Sequence, residues 1–285
     1  MKFLIIGCNG MAGHVISIYM KEQGHIVVGY AREKSRFVHT IIGDAADFKL
    51  LKKTILGGNY DAVINCVGIL NQFAEKQHAK AVLLNGYLPH YLADITEGTT
   101  IHIIHMSTDC VFSGKKGKYT EQAIPDGRLF YDRTKAMGEL DDNKNITFRN
   151  SIVGPDIKRN GIGLLNWFMQ QNSEINGFTK AIWTGQTTLQ LAKTMEAAAI
   201  KKAYGLYHAV PKESISKYEL LTLCNKYIRK KRIEIVPSDK WIADKSLVRT
   251  RYDGFEYEIP GYEVMIKELG EWMREHKELY PYYEL

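Results

Sequence analysis

Tyr131 and Lys135 stand four residues apart, so on a helix a phenol and an alkyl ammonium share one face. A ketone that becomes an alcohol takes a hydride at carbon and a proton at oxygen. A phenol placed on that oxygen can supply the proton, and a neighbouring ammonium stabilises the phenolate and lowers its pKa toward working pH. A second hydroxyl is needed to hold the carbonyl, and Thr108 is placed for it. Spacing alone does not select this pair, because Tyr30 with Lys34 and Tyr227 with Lys231 repeat it. Context does: only Tyr131 opens a helical segment, "YDRTKAMGEL", after a fifth strand that ends in Ser107-Thr108.

Hydride chemistry calls for a dinucleotide, and the amino terminus offers a site for one. "KFLIIGCNGMAGHVI" sets Gly7, Gly10 and Gly13 directly after a strand and at the start of a helix, with Asn9 and Met11 inside the turn. Such glycines allow a tight turn, close approach of backbone to a pyrophosphate and close helix packing, with helix N–H groups aimed at the phosphates. The second strand ends "VVGYAREKSR", which puts Arg32 where a ribose 2′-phosphate would be met, with Lys34 and Arg36 nearby. NADPH is therefore expected, with Glu33 as the reason to keep NADH as the alternative. After a third strand Asp44 is placed to accept from an adenine amino group, and Ala45 leaves room for the ring. Cys66, Val67 and Gly68 end the fourth strand and would line the dinucleotide with little bulk, Cys66 as a small filler.

The elements that must position these groups are legible as an alternation. "KFLIIG", "HIVVGY", "DAVINCVG", "IHIIHMS" and "ITFRNSIVG" read as buried strands. Between them Phe48, Leu51 and Ile55, and then Ala81, Leu84, Leu88 and Leu92, recur at helical spacing. Strands alternating with helices imply parallel pairing through right-handed crossovers, an α/β doubly wound sheet. The rhythm changes after Gly154-Pro155, which suggests a smaller lobe. The expected division is a nucleotide-binding domain of residues 1–153 plus about 186–205, and a C-terminal α/β substrate lobe of 154–185 and 206–285, with "TTLQLAKTMEAAAI" packing back on the first domain. Ligands of doubly wound sheets lie at the carboxyl ends of the strands, so function is expected between the lobes.

Bulk properties narrow the class further. With 285 residues, 45% apolar and 25% charged, the chain is ordinary globular material and long enough for a large core. A formal charge of +6 fits an anionic small molecule. No basic block with interleaved aromatics points to nucleic acid; "YIRKKR", Tyr227 to Arg232, reads as the solvated end of a helix. Cys8, Cys66, Cys110 and Cys224 have no CxxC spacing, so neither zinc nor a disulfide framework is indicated and a reducing cytoplasm is the expected location. "LIIGC" imitates a lipoprotein cleavage site, but too few residues precede it for a signal peptide. No apolar stretch approaches the roughly 18 to 20 residues a membrane span requires.

The chain resembles the extended short-chain dehydrogenase/reductases over nearly its whole length, through the glycine turn, "STDCVF", Tyr131 to Lys135, "RNSIVGP" and "GLYHAV". Within that superfamily it is most similar to the dTDP-4-dehydrorhamnose reductases and related sugar-nucleotide reductases, whose Ser-Thr-Asp-x-Val-Phe pattern is matched by Ser107 to Phe112. The resemblance implies a Rossmann-type fold and reduction of the C4 ketone of a nucleotide-activated 4-keto-6-deoxysugar, for surface polysaccharide sugars. It implies Thr108 on the substrate carbonyl, Tyr131 as proton donor, and Lys135 on the nicotinamide ribose and Tyr131. Asn85 looks like the family's helix asparagine near the active site, with a cap or kink of its own helix as the alternative.

Cys110 separates the relatives. Sugar-nucleotide dehydratases carry Glu there, GDP-fucose synthases a cysteine that works with a histidine in epimerisation, and rhamnose-type reductases usually tyrosine. His208 and His276, the only histidines beyond residue 150, do not match that histidine's region, so an inert or substrate-facing Cys110 is favoured over a bifunctional epimerase-reductase. A regulatory subunit of methionine adenosyltransferase also looks like these reductases, which leaves a non-catalytic NADP-binding role as the other alternative. Lys158, Arg159, Lys180, Arg249 and Arg251 are candidate partners for a substrate pyrophosphate, and Trp183 with "TGQTT" for the sugar pocket. No metal ligands transfer, and a homodimer is the assembly common among relatives.

Overall fold

The computed structural model describes all residues 1–285. Its first half runs β1 (Lys2–Ile6), α1 (Met11–Glu22), β2 (Ile26–Ala31), β3 (His39–Ile42), α2 (Phe48–Gly57) and β4 (Ala62–Asn65). There follow α3 (Asn71–Lys76), α4 (His78–Ala81), a π-helical stretch (Val82–Tyr87), α5 (Leu88–Ile95), β5 (His102–Met106), α6 (Phe130–Met137) and β6 (Ile146–Arg149). The second half contains β7 (Ser151–Val153), α7 (Leu164–Met169), β8 (Ile175–Phe178), β9 (Ala181–Trp183), β10 (Gly185–Thr187), α8 (Thr188–Lys201) and β11 (Gly205–His208). It ends with β12 (Ile215–Ser216), α9 (Lys217–Tyr227), β13 (Ile235–Ser238), β14 (Ala243–Asp244) and α10 (Tyr262–Glu275).

Seven strands form one parallel sheet in the order β11-β6-β5-β4-β1-β2-β3. Both faces of its centre are covered, which is why the inner strands β1, β4 and β5 read as apolar runs. Phe3, Ile5, Ile64, Ile104 and Phe148 pack under α1 and α8, while Leu4, Ile6, Val63 and Ile103 pack under α2 and the helical run through Leu84, Leu88 and Leu92. The chain moves outward from β1 to β3, then returns to place β4 on the other side of β1. That reversal is a Rossmann-type switch point, and it opens a crevice beyond Ile6 and Asn65. α8 packs on α1 and buries Leu191, Ala192, Met195, Ala198 and Ala199 on the sheet.

A further core forms on the outer side of α1. Val15 and Ile18 of α1 meet Leu165 and Phe168 of α7, Leu220 and Cys224 of α9, and Met265, Leu269 and Met273 of α10. Thr187 caps α8 by accepting from Gln190 N at 3.1 Å, and Ser216 with Glu219 makes a reciprocal box at the start of α9. No helix is long and apolar enough to cross a membrane.

Three expectations need correction. "ITFRNSIVG" is two strands, because the chain breaks at Asn150 and β7 leaves the sheet to pair with β10. β11 pairs with β6 in the main sheet, so Leu206–His208 belong there; a four-residue edge strand has too short an apolar run to announce itself. "YIRKKR" is not a solvated helix end throughout: Ile228 and Arg229 are buried, and the Arg229 guanidinium donates to the carbonyls of Phe168 at 2.7 Å and Gln171 at 2.8 Å, closing the end of α7.

Candidate active site

At the end of β1 the backbone turns on Gly7, whose φ of +84° lies in the left-handed region that favours glycine. Gly10 N donates to Gly7 O at 2.9 Å and closes the turn. Gly13 faces it one helical turn into α1. A Cβ there would lie 2.1 Å from Gly7 O and 2.9 Å from Gly7 C, so the approach of helix to turn admits no side chain. Beneath the turn His14 bonds Gly10 O through Nδ1 at 2.9 Å and the Tyr280 hydroxyl through Nε2 at 2.8 Å. Burial holds this imidazole down to a pKa of about 4, so it is neutral.

The crevice at the switch point is a cleft of about 270 Å³. Gly7, Asn9, Gly10, Arg32, Asp44, Ala45, Cys66, Val67 and Gly68 line it, together with Tyr30, Glu33, Lys80, Leu84 and Lys158. Arg32 has neither a hydrogen bond nor a carboxylate within 4.0 Å, while Asn9 Nδ2 donates to Glu33 O at 2.9 Å and ties the turn to the end of β2. Asp44 accepts from Ala46 N at 2.9 Å through one oxygen, which leaves carboxylate capacity toward the cleft. Burial pushes the Cys66 thiol up to about 12, in keeping with a filler. The absence of room at Gly13 and the positive φ at Gly7 are what a backbone cradle for a dinucleotide pyrophosphate requires.

Met11, Gly13, Asn85, Tyr131 and Lys135 do not line the cleft. Met11 points its sulfur at Gly163, and Gly13 acts through packing alone. Asn85 is wholly buried within the π-helical stretch, where its amide brackets Ile69, accepting from its N–H at 2.7 Å and donating to its carbonyl at 2.9 Å, and reaches the Thr134 hydroxyl at 3.1 Å. Its polar atoms are spent on holding the segment after β4 against α6.

Tyr131 and Lys135 lie on α6, buried on the face toward Thr108 and β5. The start of this helix is fixed from outside: the Glu75 carboxylate of α3 accepts from Phe130 N at 2.6 Å and Tyr131 N at 3.3 Å, and Asp132 accepts from Leu129 N at 3.1 Å. Burial raises the Tyr131 phenol above its ordinary value, with Cys110, Asp109 and Asp132 adding to the rise and the Thr108 hydroxyl opposing it. The phenol is therefore protonated here and sits in the field of Thr108. The Lys135 ammonium donates to Met106 O at 2.5 Å, and burial lowers it to about 8, with Glu139 and Cys66 opposing. The expected depression of the phenol by Lys135 is absent from this arrangement; burial dominates both groups.

Thr108 is set by a turn that the sheet holds rigidly. Its Oγ1 accepts from Cys110 N at 3.1 Å and donates to Asp109 Oδ1 at 3.1 Å. Ser107 Oγ donates to Glu139 at 2.6 Å, and Glu139 takes a two-pronged pair from Arg149 at 2.7 and 2.6 Å, so β5, β6 and the end of α6 meet in one buried ion pair. Cys110 is half-buried, and burial pushes its thiol up to about 12, with Asp109 adding to the rise. Asp109 received no role in the sequence reading although it stands in the matched "STD". Its buried carboxyl is raised, with Lys217 and Lys245 pulling the other way. Lys217 was also missed: it opens α9, and its ammonium lies 4.8 Å over the Trp183 ring. Nothing in its local sequence marks it, because the approach is made by the β9–β12 pairing.

The cations read as pyrophosphate partners divide. Arg249 donates to the carbonyls of Arg251, Tyr257 and Phe255, Arg251 pairs with Asp141 and Asp253, and Lys180 pairs with Asp239 at 3.5 Å. Lys158 faces the dinucleotide cleft. Trp183 is core, packed on Tyr262 at 5.8 Å, and "TGQTT" is scaffold, with Gln186 donating to Ala209 O at 2.9 Å and accepting from Thr194 at 2.6 Å.

A parallel sheet with this glycine turn, and a threonine, tyrosine and lysine beside its switch point, is the arrangement of an extended short-chain dehydrogenase/reductase. Residues 1–255 match the RmlD substrate binding domain, and the chain belongs to that family. It is 34% identical to the probable low-salt glycan biosynthesis reductase Agl14 of Haloferax volcanii over 49% of this chain and 48% of that one, so the match spans about half of that relative. It is 27% identical to the methionine adenosyltransferase 2 subunit beta of Xenopus tropicalis over 77% of this chain and 70% of that one. The dTDP-4-dehydrorhamnose reductase of Bacillus anthracis, solved in complex with NADP, superposes with a TM-score of 0.77 at 18% identity, covering 94% of this chain and 98% of that one.

Proposed function

We propose that the chain is an NAD(P)H-dependent reductase of a nucleotide-activated 4-keto-6-deoxysugar, with NADPH as the preferred dinucleotide and activated sugars for surface polysaccharide as the product class. The observation that carries this reading is the convergence of Thr108 and the protonated, buried Tyr131 beside a cleft whose glycine turn packs against α1 with no room for a side chain at Gly13. A bound nicotinamide would supply the hydride. Gly7, Asn9, Gly10 and the residues 66–68 would hold it, with Arg32 at the ribose and Asp44 and Ala45 at the adenine.

In this reading the Thr108 hydroxyl holds the C4 carbonyl oxygen and the Tyr131 phenol gives that oxygen its proton. The raised proton affinity of the phenol keeps the proton in place until negative charge develops on the carbonyl oxygen. Lys135 contributes a positive charge under the site and a fixed link to the end of β5. The Haloferax relative's name as a glycan biosynthesis reductase and the name and NADP of the Bacillus structure support the same class. Burial keeps the Cys110 thiol protonated at neutral pH, so little thiolate is available to take a sugar-ring proton, which favours simple reduction over an epimerising reductase. Similarity to the Xenopus subunit keeps one other reading in view, a dinucleotide-binding regulatory chain.

Incubation with NADPH and a panel of 4-keto-6-deoxysugar nucleotides separates the two. Loss of nicotinamide absorbance with at least one member is expected; tight NADPH binding with no oxidation across the panel would favour regulation. A second expectation concerns pH. Lys135 is charged below about 8 and neutral above it, so kcat/KM should fall as pH rises through about 8. The Lys135→Arg variant, which stays charged, should lose that limb. A profile flat to pH 10 in the parent enzyme would separate Lys135 from the chemistry.

A further inference from the structure

We propose that Lys158, delivered from the loop after β7, is a selectivity residue for the ribose 2′-phosphate and closes on it from the side opposite Arg32. The inference rests on the dinucleotide reading of the cleft and extends it to a residue outside the β2 end, where that selectivity is ordinarily sought.

Beside the dinucleotide cleft lies a second space of about 230 Å³, bounded by the end of β2 on one side and the carboxyl-terminal residues on the other. Only Asn9, Glu33 and Lys158 line both spaces, so Lys158 stands where the adenosine end of the cleft opens sideways. Arg32, Lys34, Arg36, Lys80 and Lys158 line the two spaces against Glu33, Asp44 and Glu278, a surplus of two positive charges. None of these five cations has a carboxylate within 4.0 Å, since every ion pair of the molecule lies elsewhere. Like charges gathered without partners repel one another, and a phosphomonoester carrying about −1.5 to −2 charges would compensate them. A 2′-hydroxyl would not.

The side chain of Lys158 is exposed, but its backbone is fixed. Lys158 N donates to Asp156 Oδ1 at 2.8 Å, the Tyr282 hydroxyl donates to Ile157 O at 3.1 Å, and Asp156 N donates to the Tyr283 hydroxyl at 3.0 Å. The Asn166 amide adds bonds to Arg159 O at 3.1 Å and Gly161 O at 2.6 Å. The loop thus holds the lysine at the mouth of the second space, and only the flexible stem needs ordering when an anion arrives.

The test is equilibrium binding of NADPH and NADH, followed by nicotinamide fluorescence, to the parent protein, Lys158→Met and Lys158→Arg. Lys158→Met is expected to weaken NADPH about tenfold and NADH less than twofold, and Lys158→Arg to keep most of the preference. An unchanged NADPH-to-NADH ratio in Lys158→Met, or equal weakening of both, would overturn the inference while leaving the dinucleotide reading intact; equal weakening would put Lys158 on the shared pyrophosphate. A parent protein that binds neither dinucleotide would overturn the reading and the inference together.

Discussion

Tyr131→Phe should bind NADPH within about twofold of the parent and lose turnover by about 10²- to 10⁴-fold, the range of a general acid. The change removes one oxygen from a ring that is almost wholly buried, beside Ala74 and Ala81, so the ring packing that holds α6 survives. The dinucleotide cleft does not include Tyr131, which is why binding should be spared. Thr108 remains to hold a carbonyl oxygen, yet no other proton donor of the same kind is placed there. Cys110 is half-buried, and a thiol is a weak hydrogen-bond donor that cannot hold a carbonyl oxygen as a phenol does. Steady-state turnover and NADPH titration on the same preparation check both halves. Turnover within a few-fold of the parent would remove Tyr131 from the chemistry.

Gly13→Ala is expected to damage the opposite function. Its Cβ would sit 2.1 Å from Gly7 O and 3.1 Å from Cys8 Cα, and both contacts are backbone with no flexible end to yield. The helix must retreat from the turn, and overpacking of this kind costs about 1–3 kcal/mol. A displaced α1 carries its N–H groups away from the phosphates, so dinucleotide affinity should drop by about 5- to 150-fold with that energy. A lowered Tm is expected as well, because α1 also backs the core formed by α7, α9 and α10. Calorimetric titration with NADPH and a thermal melt measure both effects. Parent-like affinity would mean that the turn does not cradle the pyrophosphate.

What could be read before the fold was known follows from what is local. The glycine turn and the buried strands are local facts, because a sheet covered on both faces leaves continuous apolar runs. The helical spacing through Ala81, Leu84, Leu88 and Leu92 was readable for the same reason, and all four are buried. The π-helical insertion at Val82–Tyr87 was not, since its apolar positions fit an uninterrupted helix as well. Asn85 resembles a helix asparagine near the active site; only the return of α6 beside Ile69 shows its amide already engaged. Glu75, which caps α6 at Phe130 and Tyr131, is 55 residues away from the first of them, and no pattern joins the two. The same limit applied to Arg249 and Arg251, whose carbonyl and carboxylate partners come from folding of their own loop and from Asp141. It applied to Lys158 as well, whose side is set by tyrosines at the chain's far end.

Hydrogen isotope transfer tests the central claim most directly. With NADPH deuterated at the nicotinamide C4 position, on each face in turn, and a 4-keto-6-deoxysugar nucleotide that the protein turns over, one deuterium should appear at sugar C4 from one face only. The Tyr131→Phe protein should give the same product at a rate lower by orders of magnitude. Oxidation of NADPH with no deuterium at C4, or no oxidation with any 4-keto-6-deoxysugar nucleotide, would contradict the assignment.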